Sequence, residues 1–175
     1  MFLQCYQPVH DKLARYCGSL AYGIMDTEDL VQETVLATLK HFDSIREKHK
    51  LLHFMMCVAG NIMKSQARRK KFRGDYNEKA FRKLESRTGD PEKAMELHQL
   101  YLAMNKLPAK EKEALLLFAV MGFSMKEISE MQDSGLSATK TRISRARQKL
   151  RELLSDPEEE KNNIVPNSIP VLSRP

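Results

Sequence analysis

Residues Phe123 to Leu150, FSMKEISEMQDSGLSATKTRISRARQKL, constrain the fold more than any other stretch. Met125, Ile128 and Met131 recur at helical spacing, so one face of a first helix should be buried. Gln132-Asp133-Ser134-Gly135 then gathers turn-forming residues. Ser137 is placed to cap a second helix by accepting from an orphan backbone N–H. That helix carries Lys140, Arg142, Arg145, Arg147, Lys149 and Arg151 with no acid before Glu152, while Ile143, Ala146 and Leu150 form an apolar stripe. This is the layout of a helix-turn-helix, whose second helix enters the DNA major groove and meets base edges with its N-terminal residues. A plain helical hairpin with a solvated charged face would share the periodicity. It would not require turn, cap, stripe and basic face in one register.

The other stretches point the same way. Helical periodicity recurs throughout and strand signals are scarce, so the expected class is all-α. The net charge of +6 suits a polyanionic partner without identifying one. Cys5, Cys17 and Cys57 have no paired spacing, as expected for free thiols in a reducing cytoplasm. The longest apolar run, Ala114 to Met121, is too short to span a bilayer, and the N-terminal stretch lacks a signal-peptide cleavage pattern.

In chain order, a first helix is expected over residues 4–23, with Leu13, Tyr16, Cys17 and Leu20 on one side. A second begins at Asp26-Thr27-Glu28-Asp29, capped by Asp26 or Thr27, with acids at the positive end of the helix dipole. Its inward face is Leu30, Val31, Thr34, Val35, Thr38 and Phe42. Residues 43–50 read as a charged loop. A third helix, Leu51 to about Phe72, opens apolar and ends in the basic run KSQARRKKFR. Residues 74–93 read as a flexible linker with a short helix from Glu78 to Leu84. Ala94 to Leu107 and Ala109 to Met121 are two further helices, with Pro108 at the start of the latter. After Leu154 the Asn-, Pro- and Ser-rich tail, 155–175, is expected to be disordered. The expected organisation is therefore two small helical domains, 1–73 and 94–154, joined by the linker.

Three segments resemble bacterial RNA polymerase sigma factors of the sigma-70 class, in the extracytoplasmic-function (ECF) group that keeps only domains 2 and 4. Asp26 to Val35 (DTEDLVQETV) is similar to the acidic DAEDLVQE signature. Phe54 to Arg69 (FMMCVAGNIMKSQARR) resembles the promoter-melting and −10 helix, W-x-x-x-I-A-R-N-x-x-x-D-x-x-R-R. Leu107 to Leu150 is similar to domain 4. The departures are Phe54 for Trp, Gly60 for Arg and Ser65 for Asp. Ser134 also stands where an apolar residue seats the turn, and Gly135 where the capping Ser sits.

The resemblance implies a promoter-specificity subunit that works with core RNA polymerase and promoter DNA and has no catalysis of its own. Family habit adds an anti-sigma partner. Domain 2 would dock on polymerase through the acidic helix, with Asp29, Gln32 and Glu33 as contacts, although the acids there also serve simply as helix-start residues. The −10 element would be held by Phe54, Asn61, Lys64, Arg68 and Arg69, a mix of aromatic and cationic groups suited to an unstacked strand. Phe54 has a competing reading as a core residue. The −35 element would be read by Ser137, Lys140, Thr141, Arg142 and Arg145, since Arg bonds guanine O6 and N7 in bidentate fashion.

No metal or cofactor is expected. His49, His53 and Cys57 share an i, i+4, i+8 spacing but lack a fourth ligand. The rival readings are a stand-alone helix-turn-helix regulator that binds an operator as a dimer, and an interaction module that mimics a sigma factor and sequesters a partner.

Overall fold

The structure is a computed structural model that describes residues 1–69 and 74–155; the side chains of 67–69 and 74–77 lie outside that description. Among the described residues it consists of α-helices and short 3-10 turns without strands. The expected first helix is broken. Pro8 sits at the start of a 3-10 turn, Gln7–Val9, which separates α1 (Phe2–Tyr6) from α2 (His10–Ala21). Gly23 then turns the chain at φ 65°. Helix α3 (Thr27–His41) starts where the acidic cluster placed it. Asp26 is the cap, its carboxylate accepting from the Glu28 amide at 2.9 Å. The loop that follows holds two 3-10 turns, Phe42–Ser44 and Lys48–Lys50, before α4 (Leu51–Arg69).

Residues 74–88 form a full helix, α5 (Gly74–Thr88), of which the expected Glu78–Leu84 helix is only the middle. It packs on α6 (Pro91–Asn105). Asp90 caps α6, accepting from the amides of Glu92 and Lys93, and Pro91 occupies the first turn, where its missing N–H costs nothing. Helix α7 (Ala109–Ala119) follows Pro108, and Gly122 turns the chain at φ 74°. Helices α8 (Met125–Met131) and α9 (Leu136–Ser155) complete the chain as described. The basic end of the expected α4 extension, residues 70–73, and the tail, 156–175, lie outside the described residues.

Leu13, Tyr16, Leu20, Leu30, Leu51, Met55 and Met56 bring α2, α3 and α4 together. Met104, Leu116, Leu117, Ile128, Ile143 and Ala146 do the same for α6 to α9, and the two sets are continuous. The continuity comes from α7. Its residues Ala114 to Leu117 are all buried, because one side of the helix meets α9 and the other meets α2. The burial stops after Leu117. Phe118 is half-buried and Ala119 exposed.

Candidate nucleic-acid interface

The helix-turn-helix is built from two linked capping devices. At the front, Ser124 accepts from the Glu127 amide, and Glu127 returns a carboxylate to the Ser124 amide at 2.8 Å. Hydrogen bonding from Ser124 holds the Glu127 carboxyl below its usual value. At the back of α8, Asp133 takes the left-handed conformation (φ 46°). The Asp133 amide reaches Glu130 O at 3.2 Å and the Ser134 amide reaches Ser129 O at 2.9 Å. Those two bonds make a Schellman stop. Within the Gln132–Gly135 cluster, Asp133 therefore makes the turn.

The expected cap of α9 requires correction. The helix begins at Leu136, and its first backbone bond runs from Thr139 N–H to Gly135 O. Gly135 is thus the cap residue. Ser137 lies inside the first turn, its carbonyl accepting from the Thr141 hydroxyl at 3.0 Å. Leu136 stays 46% exposed rather than packing. The polar Ser134 is accommodated because its hydroxyl meets Thr139 Oγ1 at 3.2 Å, with Thr139 fully buried.

On α9, Ser137, Lys140, Thr141 and Arg145 are exposed on the outer face, opposite the buried Thr139, Ile143 and Ala146. Arg142 is only partly exposed. Its guanidinium donates to Gln132 Oε1 at 2.8 Å and Ser134 Oγ at 3.0 Å, which ties the helix to its own turn. Arg147 lies over the Phe118 ring, 5.1 Å from its centre.

On α4, Phe54 is half-buried and Asn61 exposed. Lys64 ion-pairs with Glu113 of α7 at 2.9 Å. The side chains of Arg68 and Arg69 lie outside the described residues. The histidines and cysteine at helical spacing have separate partners. His49 faces Glu47 at 3.4 Å, His53 sets an edge against Phe123, and Cys57 donates to Met131 O at 3.3 Å. On α3, Asp29, Gln32 and Glu33 are all exposed. Leu36 (59% exposed) and Leu39 (50%) continue their stripe. Sequence reasoning passed over these two leucines; their position off the inward face was the available signal.

Two helical units, one ending in an outward basic recognition helix, define a DNA-binding protein of the transcription class. The sequence matches the family descriptions "Sigma-70 region 2" over residues 1–73 and "Sigma-70, region 4" over residues 97–150. The chain belongs to the sigma-70 family, in its ECF group, and is a sigma factor of transcription initiation. It is 29% identical over 143 residues to the ECF RNA polymerase sigma factor EcfG of Rhodopseudomonas palustris, covering 81% of this chain and 78% of that one. It is 27% identical over 131 residues to the RNA polymerase sigma factor CarQ of Myxococcus xanthus, covering 74% and 75%. Among solved structures it is similar to the sigma factor RpoE of Bartonella quintana, solved in complex with the anti-sigma factor NepR. The TM-score there is 0.66 at 26% identity, over 89% of this chain and 98% of that one. CnrH, solved with the cytosolic domain of CnrY, shares the fold at TM-score 0.64 and 22% identity, over 87% and 86%. No described helix is long and apolar enough to cross a membrane.

Proposed function

We propose that this sigma factor binds core RNA polymerase through the exposed α3 stripe and carries it to two-part promoters in the cytoplasm, without catalysis of its own. Asp29, Gln32 and Glu33 supply the polar contacts, and Leu36 and Leu39 the apolar area that those acids lack by themselves. Ser137, Lys140, Thr141 and Arg145 read the −35 element. Arg142 contributes chiefly by fixing the turn that aims them. Phe54, Asn61, Lys64, Arg68 and Arg69 hold the −10 strand. By likeness to the Bartonella quintana protein, an anti-sigma protein is a further partner.

The observation that carries this reading is the outward face of α9. Four polar or cationic side chains at helical spacing stand exposed there, while Thr139, Ile143 and Ala146 on the opposite face are buried. The stand-alone regulator reading leaves the acidic stripe and the basic end of α4 without a role.

Run-off transcription with core polymerase on a promoter-fragment library tests it. Transcripts that share a bipartite upstream sequence and vanish with Arg145→Ala or Phe54→Ala are expected. Operator binding as a dimer, with no transcription in the presence of core polymerase, would refute it.

A further inference from the structure

Glu113 is a carboxylate 6% exposed that sits on the seam between the two units. It pairs with Lys64 of α4 at 2.9 Å and accepts from Gln132 Nε2 at 3.3 Å. Gln132 in turn holds Lys110 O through the same amide nitrogen and Arg142 through its carbonyl oxygen. One acid thus connects a candidate −10 cation to a candidate −35 cation. Opposite the acid lies Gly60. A Cβ there would run into Glu113 Oε1, with Cδ only 3.1 Å away. Glycine within a helix costs about 1 kcal/mol relative to alanine. The position that carries Arg in the family pattern therefore holds the one residue that leaves room for an acid from α7.

We propose that Glu113, seated over Gly60, is an internal stand-in for promoter phosphate. It holds Lys64 of α4 in a closed form of the free chain, and polymerase with promoter DNA must displace it. Beyond the geometry, the placement matches anion to cation. Lys64 is the −10 candidate whose side chain is described in an ion pair, and its partner comes from the other unit. Cys57, one helical turn before Gly60, crosses the same seam to Met131 O. Burial pushes its thiol up to about 11. The closed form should protect that thiol, and opening should expose it. What Lys64 does once freed rests on the sigma-factor reading above; the closure itself does not.

The test uses the full chain in a Cys5→Ser background, comparing wild type with Glu113→Gln and Gly60→Ala. Alanine favours the α4 helix, so Gly60→Ala pushes the Glu113 carboxylate off its seat without weakening the helix. Three readouts are taken without polymerase: alkylation rate of Cys57, helix content by circular dichroism, and binding to a fluorescent single-stranded DNA of mixed sequence across a salt series. Both variants should keep their helix content and alkylate Cys57 about tenfold faster, a change of about 1.4 kcal/mol in the closed-to-open balance. They should also bind the DNA more tightly, with log K falling more steeply with log salt by about 0.7, as expected for one cation released to phosphate on a single strand. Wild-type alkylation and DNA affinity in both folded variants would overturn the proposal. Loss of run-off transcription by wild type would count against the sigma reading instead, and leaves these three readouts unaffected.

Discussion

Lys112→Met isolates a contact that no single unit of the chain could make. Helix α2 ends at Ala21, and its terminal carbonyls lack helical partners. Leu20 O accepts from Lys112 Nζ at 2.8 Å, and Tyr22 O accepts from Asn105 Nδ2 at 2.9 Å. Lys112 Nζ also meets Asn105 Oδ1 at 2.7 Å, so one cation and one amide close the end of α2 from the other unit.

Lys112 is 6% exposed. A hydrogen bond from a charged donor contributes about 1.5–3 kcal/mol, and a cation at a partly buried helix C-terminus up to about 2 kcal/mol. Methionine keeps the stem and recovers part of the cost of burying the ammonium. The expected net loss is about 2 kcal/mol, a factor of about 30. For a chain of this size that is a fall of roughly 4–8 °C in melting temperature, read by far-ultraviolet circular dichroism. The double change Lys112→Met with Asn105→Ala should cost less than the sum of the singles, because the two groups share a bond. A midpoint unmoved by Lys112→Met, or strict additivity of the two changes, would refute the shared cap.

Three further outcomes are expected. Arg145→Ala should abolish promoter-specific transcription at unchanged melting temperature, whereas Arg142→Ala should lower both, by about 1–2 kcal/mol in stability for the lost turn bonds; equal stability effects would contradict the geometry. The Glu28 carboxyl, hydrogen-bonded to Asp26 and paired with Lys83 at 2.5 Å, is held down at about 2, while its bond to Glu28 raises Asp26. A depressed acid contributes stability above its unfolded value that is lost as pH falls through its folded one. Acid unfolding between about pH 4.5 and 2 should therefore soften in Lys83→Met, by no more than a few tenths of a kcal/mol because the pair is exposed. Burial pushes the Cys17 thiol up to about 12, so Cys17 should resist alkylation at pH 8 until the chain unfolds in urea.

The elements were legible in the sequence where one rule governed them. Asp26 and Thr27 before the acids Glu28 and Asp29 placed the start of α3 to within a residue, and the stripe Ile143, Ala146 set the buried side of α9. The register of the turn was not legible, because two residues competed for each job. Asp133 took the left-handed position and left Gly135 to begin the helix, so the hydroxyl of Ser137 was not needed as a cap. Nor could periodicity find what joins the units. Lys64 and Glu113, or Leu20 and Lys112, lie far apart in the chain and leave no repeating trace. The one visible mark was Gly60, a departure from the family pattern that faces the Glu113 carboxylate.

The borrowed end of α2 bears on how such proteins can be recombined. A chimera that grafted a relative's second unit onto residues 1–73 would keep every residue of α2 and still leave the Leu20 and Tyr22 carbonyls bare, unless the graft carried an amide at 105 and an amine at 112. The two halves are therefore inherited most safely as a matched pair. Drift at Asn105 or Lys112 would be felt first in the half that does not contain them.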